Sequence, residues 1–153
     1  MKTKKRPFIV WVVIVLNLLL GIGALVGGAC LILAPDGSIM HMPVSMMHGI
    51  LFKDFLIPGI FLFTFVGLFP TAVAYSLYAR PAWRWPDVIN PFKKLHWSWA
   101  ASLAAGLICT LWITIEVEIT GIGALHVIYF IWGWVIVFLS LLKPVREYCR
   151  LYR

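Results

Sequence analysis

The sequence predicts an all-α fold: a polytopic membrane protein, an antiparallel four-transmembrane-helix bundle, N-in/C-in, with a short interfacial helix in the first outer loop. Three observations lead there. Hydrophobic residues make up 62% of the 153 positions and charged residues only 12%, against roughly 45–50% and 25% in soluble domains. Apolar runs recur at about 8–34, 55–79, 97–119 and 124–142, and each reaches the roughly 20 residues needed to cross about 30 Å of hydrocarbon. The Lys and Arg residues fall almost wholly in alternate connections. With lipid as solvent, backbone polar groups must be satisfied within the chain, which leaves helices or a closed barrel. Barrel strands alternate over about 10 residues, and these runs do not. The whole chain, 1–153, reads as a single membrane domain.

The first element is a basic head, MKTKKRP, followed by the apolar run Phe8–Ala34. As a helix that run measures about 40 Å, enough to span with tilt. It exceeds the apolar region of a signal peptide. Gly27-Gly28-Ala29-Cys30 approaches a lipoprotein cleavage box, but position 27 is not leucine and apolar residues continue after Cys30, so the expectation is a retained span. Gly23 with Gly27, and Ala24 with Gly28, give small-xxx-small spacing for close helix approach. Asn17 reads as a hydrogen bond within the bundle.

Residues 35–54 form the first loop. Pro35-Asp36-Gly37 is turn chemistry. Pro43 opens PVSMMHGILF, about two amphipathic turns able to lie on a membrane surface. The loop holds Met40, Met42, Met46 and Met47, every methionine except the first, together with His41 and His48. Thioether and imidazole together suit Cu(I), so copper is a candidate cofactor; methionines covering apolar surface are the favoured reading. Asp54 is placed to N-cap the second span. That span, Phe55–Ala79, carries Pro58-Gly59 in its first turn and Pro70 deep inside, which predicts a kink near 66–70.

Residues 80–97 interleave Arg80, Arg84, Lys93 and Lys94 with Trp83, Trp85 and Trp97 and three prolines. That is the composition of a headgroup layer, and these seven residues are the expected interfacial lipid contacts. General anchoring is favoured over a specific anionic-lipid site. The third span carries Ala100, Ala101, Ala104, Ala105 and Gly106, a small-residue face expected to meet another helix closely.

The third and fourth spans are joined by Thr120-Gly121-Ile122-Gly123, too short for anything but neighbouring antiparallel helices. Both glycines are expected to supply positive φ. Glu116 and Glu118 lie in the last turn before this link. Two residues on a helix is about 200°, so they face apart and cannot form one paired-carboxylate site. His126 returns at about their depth, which allows a His–Glu contact across the hairpin. Glu116, Glu118 and His126 are thus a candidate polar cluster: wetted headgroup-zone side chains on the favoured reading, a proton or ion site on the other.

The net charge of +7 raises nucleic acid as a partner, but position excludes it, since the cations flank apolar spans. The head (Lys2, Lys4, Lys5, Arg6), the 80–97 loop (Arg80, Arg84, Lys93, Lys94) and the tail (Lys143, Arg146, Arg150, Arg153) hold twelve of the thirteen; Lys53 is the other. The positive-inside rule then places both termini in the cytoplasm of a cell whose inner membrane holds the chain. Cys30, Cys109 and Cys149 are odd in number and scattered, as packing residues are.

Pro35-Asp36-Gly37, Met42-Pro43 and FKDFLIPG from Phe52 to Gly59 resemble the corresponding parts of a set of small bacterial four-span membrane proteins of unknown function. The resemblance implies that SMMHG stands where leucines and a glutamate are usual, so that the methionines and His48 are substitutions. It supplies no catalytic residues.

No nucleophile–base pair, phosphate loop or dinucleotide fingerprint occurs. The favoured function is a non-catalytic accessory or scaffold protein of the bilayer, with membrane lipids and a homo-oligomer or larger membrane complex as partners. The alternatives are a small transporter or metal-handling protein using the Met/His/Glu groups, and a membrane-embedded enzyme acting on a lipid or quinone.

Overall fold

The computed structural model describes residues 6–47 and 52–151, and its regular elements there are helical. Four helices are long and apolar enough to cross a membrane: α1 (Phe8–Leu33), the second span Leu56–Ala79, α5 (Trp97–Thr120) and α6 (Ala124–Leu141), each ending within one residue of the apolar run it was read from. The second span is continuous but not uniform. It consists of α2 (Leu56–Phe61), a π-helical stretch (Leu62–Leu68) and α3 (Phe69–Ala79). Two short helices, α4 (Arg84–Ile89) and α7 (Lys143–Tyr148), lie outside the spans. Lys2, Lys4, Lys5, His48 and Arg153 fall outside the described residues.

α1 packs along the whole second span, and α5 packs along α6; the two pairs meet through α1 with α6 and α3 with α5. The buried face of α1 runs Val10, Val13, Ile14, Asn17, Leu20, Gly21, Ala24, Gly28 and Leu31, steps of one, three and four that keep one helical face. A Cβ on Gly28 would lie 2.6 Å from the Phe63 amide nitrogen, and one on Gly21 would lie 2.9 Å from the Gly67 carbonyl oxygen. The contact notch is therefore Gly21–Ala24–Gly28. Of the two pairs that spacing offered, Ala24 with Gly28 lies in this notch, and Gly23 with Gly27 looks elsewhere. A helix that is apolar all round has no polar face to fix its rotation, so spacing alone left the choice open.

The α5–α6 contact is built on Gly106 and Gly133. A Cβ on Gly106 would lie 2.6 Å from the Gly133 carbonyl, and one on Gly133 would lie 2.7 Å from that of Gly106. Ala105 and Gly106 of the expected small-residue face are buried there, whereas Ala100, Ala101 and Ala104 are only half-buried. Polar groups tie the pairs together. Asn17 Nδ2 donates to the Val13 carbonyl (2.9 Å) and to Ser102 Oγ (3.2 Å), Ser102 Oγ lies 2.9 Å from Ser140 Oγ, and Trp99 Nε1 donates to the Ser140 carbonyl at 2.8 Å. Asn17 thus makes the interhelical bond expected of it.

Pro70 acts as a widening of the turns before it: the π-helical stretch ends two residues earlier. Proline lacks the N–H that a regular ladder needs at that point, and Thr71 Oγ1 donates to the Gly67 carbonyl (2.9 Å) beside the gap. In the first loop, Asp36 Oδ1 accepts from Ser38, Gly37 takes φ +75°, and Phe55 N donates to the Pro35 carbonyl, bringing the second span back beside the first. The N-cap position is Phe55, and Asp54 reaches past it to accept from Leu56 N at 2.9 Å. Of the stretch 43–52 expected as two amphipathic turns, 48–51 lie outside the described residues, and the described part holds one 3₁₀ turn, Val44–Met46. In the α5–α6 link only Gly121 has positive φ (+81°); Gly123 is extended at −135°. Cys30 and Cys109 are free thiols, and Cys109 and Cys149 are buried.

At the end where α1 starts and α6 stops, Arg6 Nε donates to Tyr148 Oη and its Nη2 to the Tyr78 carbonyl, with the guanidinium over the Tyr78 ring. The tail is stitched to the 80–97 loop: His96 N donates to the Cys149 carbonyl (2.7 Å) and Leu151 N to that of Lys94 (3.0 Å). Of the seven expected lipid contacts, Trp83, Arg84, Trp85, Lys93 and Lys94 are exposed. Arg80 lies over the Tyr148 ring, and Trp97 is buried in a stack with Trp83. His96 caps α5: its Nδ1 accepts from Ser98 N, while Nε2 lies 3.1 Å from the Pro81 carbonyl and donates to it. Burial lowers its pKa, outweighing the pull of that carbonyl, and the Arg80 charge adds to the lowering.

Two outcomes follow. Gly106→Val should destabilise the detergent-solubilised protein by about 1–3 kcal/mol through overpacking, whereas Gly27→Ala, whose Cβ meets Leu62 at 3.5 Å, should stay within about 0.5 kcal/mol; thermal unfolding measures both. Because His96 holds a lower pKa folded than unfolded, the unfolded chain takes up the proton first as pH falls. Stability should therefore decline below about pH 6.5, down to the folded value. His96→Asn, which caps without titrating, should flatten that part of the profile relative to the parent.

Candidate functional site

A cavity of about 200 Å³ lies among all four spans at the end opposite Arg6. α1 contributes Gly23 and Gly27, the glycines not used in its notch with the second span. The π-helical stretch adds Leu62 and Val66, α5 adds Cys109, Ile113 and Glu116, and α6 adds Leu125, His126 and Tyr129. Met40 and Met42 of the first loop border it. Most of the wall is apolar. Glu116 is half-buried and is its one carboxylate. Gly23 is what makes room for Tyr129: a Cβ there would stand 3.2 Å from the phenol oxygen.

The two groups of residues flagged in the sequence thus converge in part. Met40 and Met42 share a wall with Glu116 and His126. Glu118 does not join them. It is exposed and borders a separate surface groove of about 280 Å³ with Thr114, Val127 and Phe130; His126 borders both hollows. The separation follows from the 200° between Glu116 and Glu118. Met46 and Met47 sit at the 3₁₀ turn, and His41 is exposed with φ +54°. Among the described residues, no group of three or more His, Cys, Asp or Glu could hold a metal ion. The soft donors that line the cavity are Met40, Met42, Cys109 and His126.

His126 has a local task. Its Nδ1 accepts the Gly123 N–H at 2.9 Å. An accepting Nδ1 requires the neutral ring with its proton on Nε2. His126 is the third residue of α6, where glutamate or glutamine closes a capping box, and here imidazole does so. Among the described residues, no hydrogen bond or ion pair joins His126 to Glu116 or Glu118, so the contact anticipated across the hairpin is replaced by this cap.

Chemically, the cavity offers one carboxylate acceptor, a phenol, thioethers and an apolar wall. It suits a small, largely apolar molecule with a single cationic or hydrogen-bond-donating group. Sequence reasoning missed Tyr129 and the role of Gly23 and Gly27. The spacing of Tyr129 three residues after His126, on one face of α6, was the available signal.

His126→Ala should fray the first turn of α6 and destabilise it by about 0.5–1 kcal/mol, while His126→Gln should keep the reciprocal bond. Amide exchange over residues 124–127 reads the difference.

Comparison of the chain with protein-family models, with curated proteins and with solved structures found no match.

Proposed function

We propose that this is a multi-pass protein of the bacterial inner membrane, with four antiparallel spans and both termini in the cytoplasm, and that it serves as a non-catalytic accessory or scaffold protein. Arg6, Arg80, Arg84, Lys93, Lys94, Lys143, Arg146 and Arg150 flank the ends of the spans on one side and Lys53 stands on the other, which supports the orientation. The resemblance of residues 35–59 to small bacterial four-span proteins supports the compartment.

One observation carries the non-catalytic reading. The buried polar residues among those described, Asn17, Ser76, Asn90, His96, Ser98, Ser102, Thr110 and Ser140, each make a hydrogen bond that holds the fold, although Asn17 Oδ1 and the indole N–H groups of Trp97 and Trp112 are buried without a partner. A group kept for chemistry has to exchange partners during a reaction; these hydrogen bonds fix one helix to another or to itself. α6 is the least covered span, 22% buried, with Ile128, Ile131, Val135 and Phe138 exposed. It is the face along which a partner helix is expected to lie.

A second reading rests on the convergence of Met40, Met42, Glu116 and His126 on one cavity: a small transporter or metal-handling protein. A single purification in mild detergent separates the two. The scaffold reading expects a co-purifying membrane partner or a stable homo-oligomer after cross-linking, and a lone monomer counts against it. About one copper per chain, lost in Met40→Ala/Met42→Ala, would put the second reading in its place.

A further inference from the structure

At the end opposite Glu116 two hollows adjoin. The first, of about 550 Å³, is a trough between α4 and α5. Trp85, Ile89 and Phe92 wall it, and Ala100, Ala101 and Ala104 floor it. The second, of about 540 Å³, lies between residues 91–95 and α7 and gathers Lys93, Lys94, Arg146 and Arg150 against one carboxylate, Glu147. Pro91 and Phe92 border both, so the apolar trough and the basic recess lie side by side at these two residues.

The two are built as one unit. Leu95 and Arg150 are bridge partners, and Leu151 N donates to the Lys94 carbonyl. That stitch holds Lys94 and Arg150 on neighbouring backbones, where the charges repel unless an anion lies between them. Lys93 Nζ donates to the Asp87 and Val88 carbonyls at 2.7 and 3.1 Å, which fastens α4, the wall of the trough, to the recess. The trough exists because Ala100, Ala101 and Ala104 carry only methyl groups and are left half-buried beside α4.

From this geometry we infer that the joined hollows bind one anionic phospholipid, its phosphate head among Lys94, Arg146 and Arg150 and an acyl chain along Ala100, Ala101 and Ala104. A soluble phosphate would leave the apolar trough empty. A zwitterionic head would bring its own ammonium against four cations. The inference rests on the reading of the chain as membrane-spanning.

Native mass spectrometry of the full chain, released from detergent micelles doped with phosphatidylglycerol or phosphatidylcholine, tests it. The parent is expected to retain one phosphatidylglycerol, about tenfold in preference to phosphatidylcholine. Lys94→Gln/Arg150→Gln, both at exposed positions, should bring that preference below about twofold. Lys4→Gln/Lys53→Gln removes the same charge without touching the four cations of the recess and should keep it. Ala104→Phe fills the trough without changing charge and should also lose the bound lipid. Equal retention of both lipids by the parent, or equal loss in the two charge variants, overturns the site and leaves the membrane reading standing. Recovery of the protein from membrane-free cell extract overturns both.

Discussion

The α1 contact with the second span and the α5–α6 contact are both close where a side chain is missing, and most of the architecture follows from that. Gly28 lies against the backbone of the second span at Phe63, and Gly106 and Gly133 lie against each other between α5 and α6. In hydrocarbon there is no water to drive apolar surfaces together, so association depends on contact area and on hydrogen bonds between helices. The glycines supply the first. Asn17, Ser102, Ser140 and Trp99 supply the second, at the depth where the two helix pairs meet. Remove the close approach, and the polar side chains no longer reach one another.

The same constraint decides what is left open. Where α1 turns Gly21 and Gly28 toward the second span, Gly23 and Gly27 are left on a flank, and a hollow forms there that admits Tyr129 and the Glu116 carboxylate. Where α5 turns Ser102, Ala105 and Gly106 inward, Ala100, Ala101 and Ala104 are left half-buried, and the trough beside α4 appears. Both cavities are by-products of small residues that outnumber the contacts available to them. One opens at the carboxylate end and one at the basic end.

The number, type and length of the spans were legible in the sequence because hydropathy and length are properties of composition. Rotation was not. Gly23–Gly27 and Ala24–Gly28 are equally plausible notches on a helix with no polar face, and only packing chose between them. The same limit hid the cavity. Glu116 and Glu118 were separated correctly by helical angle, but nothing in the spacing says which of the two turns inward. The His126 cap was missed for a different reason: its bond is to the N–H of Gly123, and a backbone partner leaves no trace in side-chain identity. Pro70 announced a distortion but not its form, since a proline can bend a helix or loosen the winding ahead of it.

That loosened winding has a consequence for the rest of the second span. Seven residues, Leu62–Leu68, are wound with more residues per turn than their neighbours, so the segment works as a phase adjuster between the two halves of one rod. Upstream, Pro58 and Gly59 face α1; downstream, Val73, Ala74 and Leu77 do. The meridian of the helix is reset between them without any break in the rod, and both halves address the same neighbour.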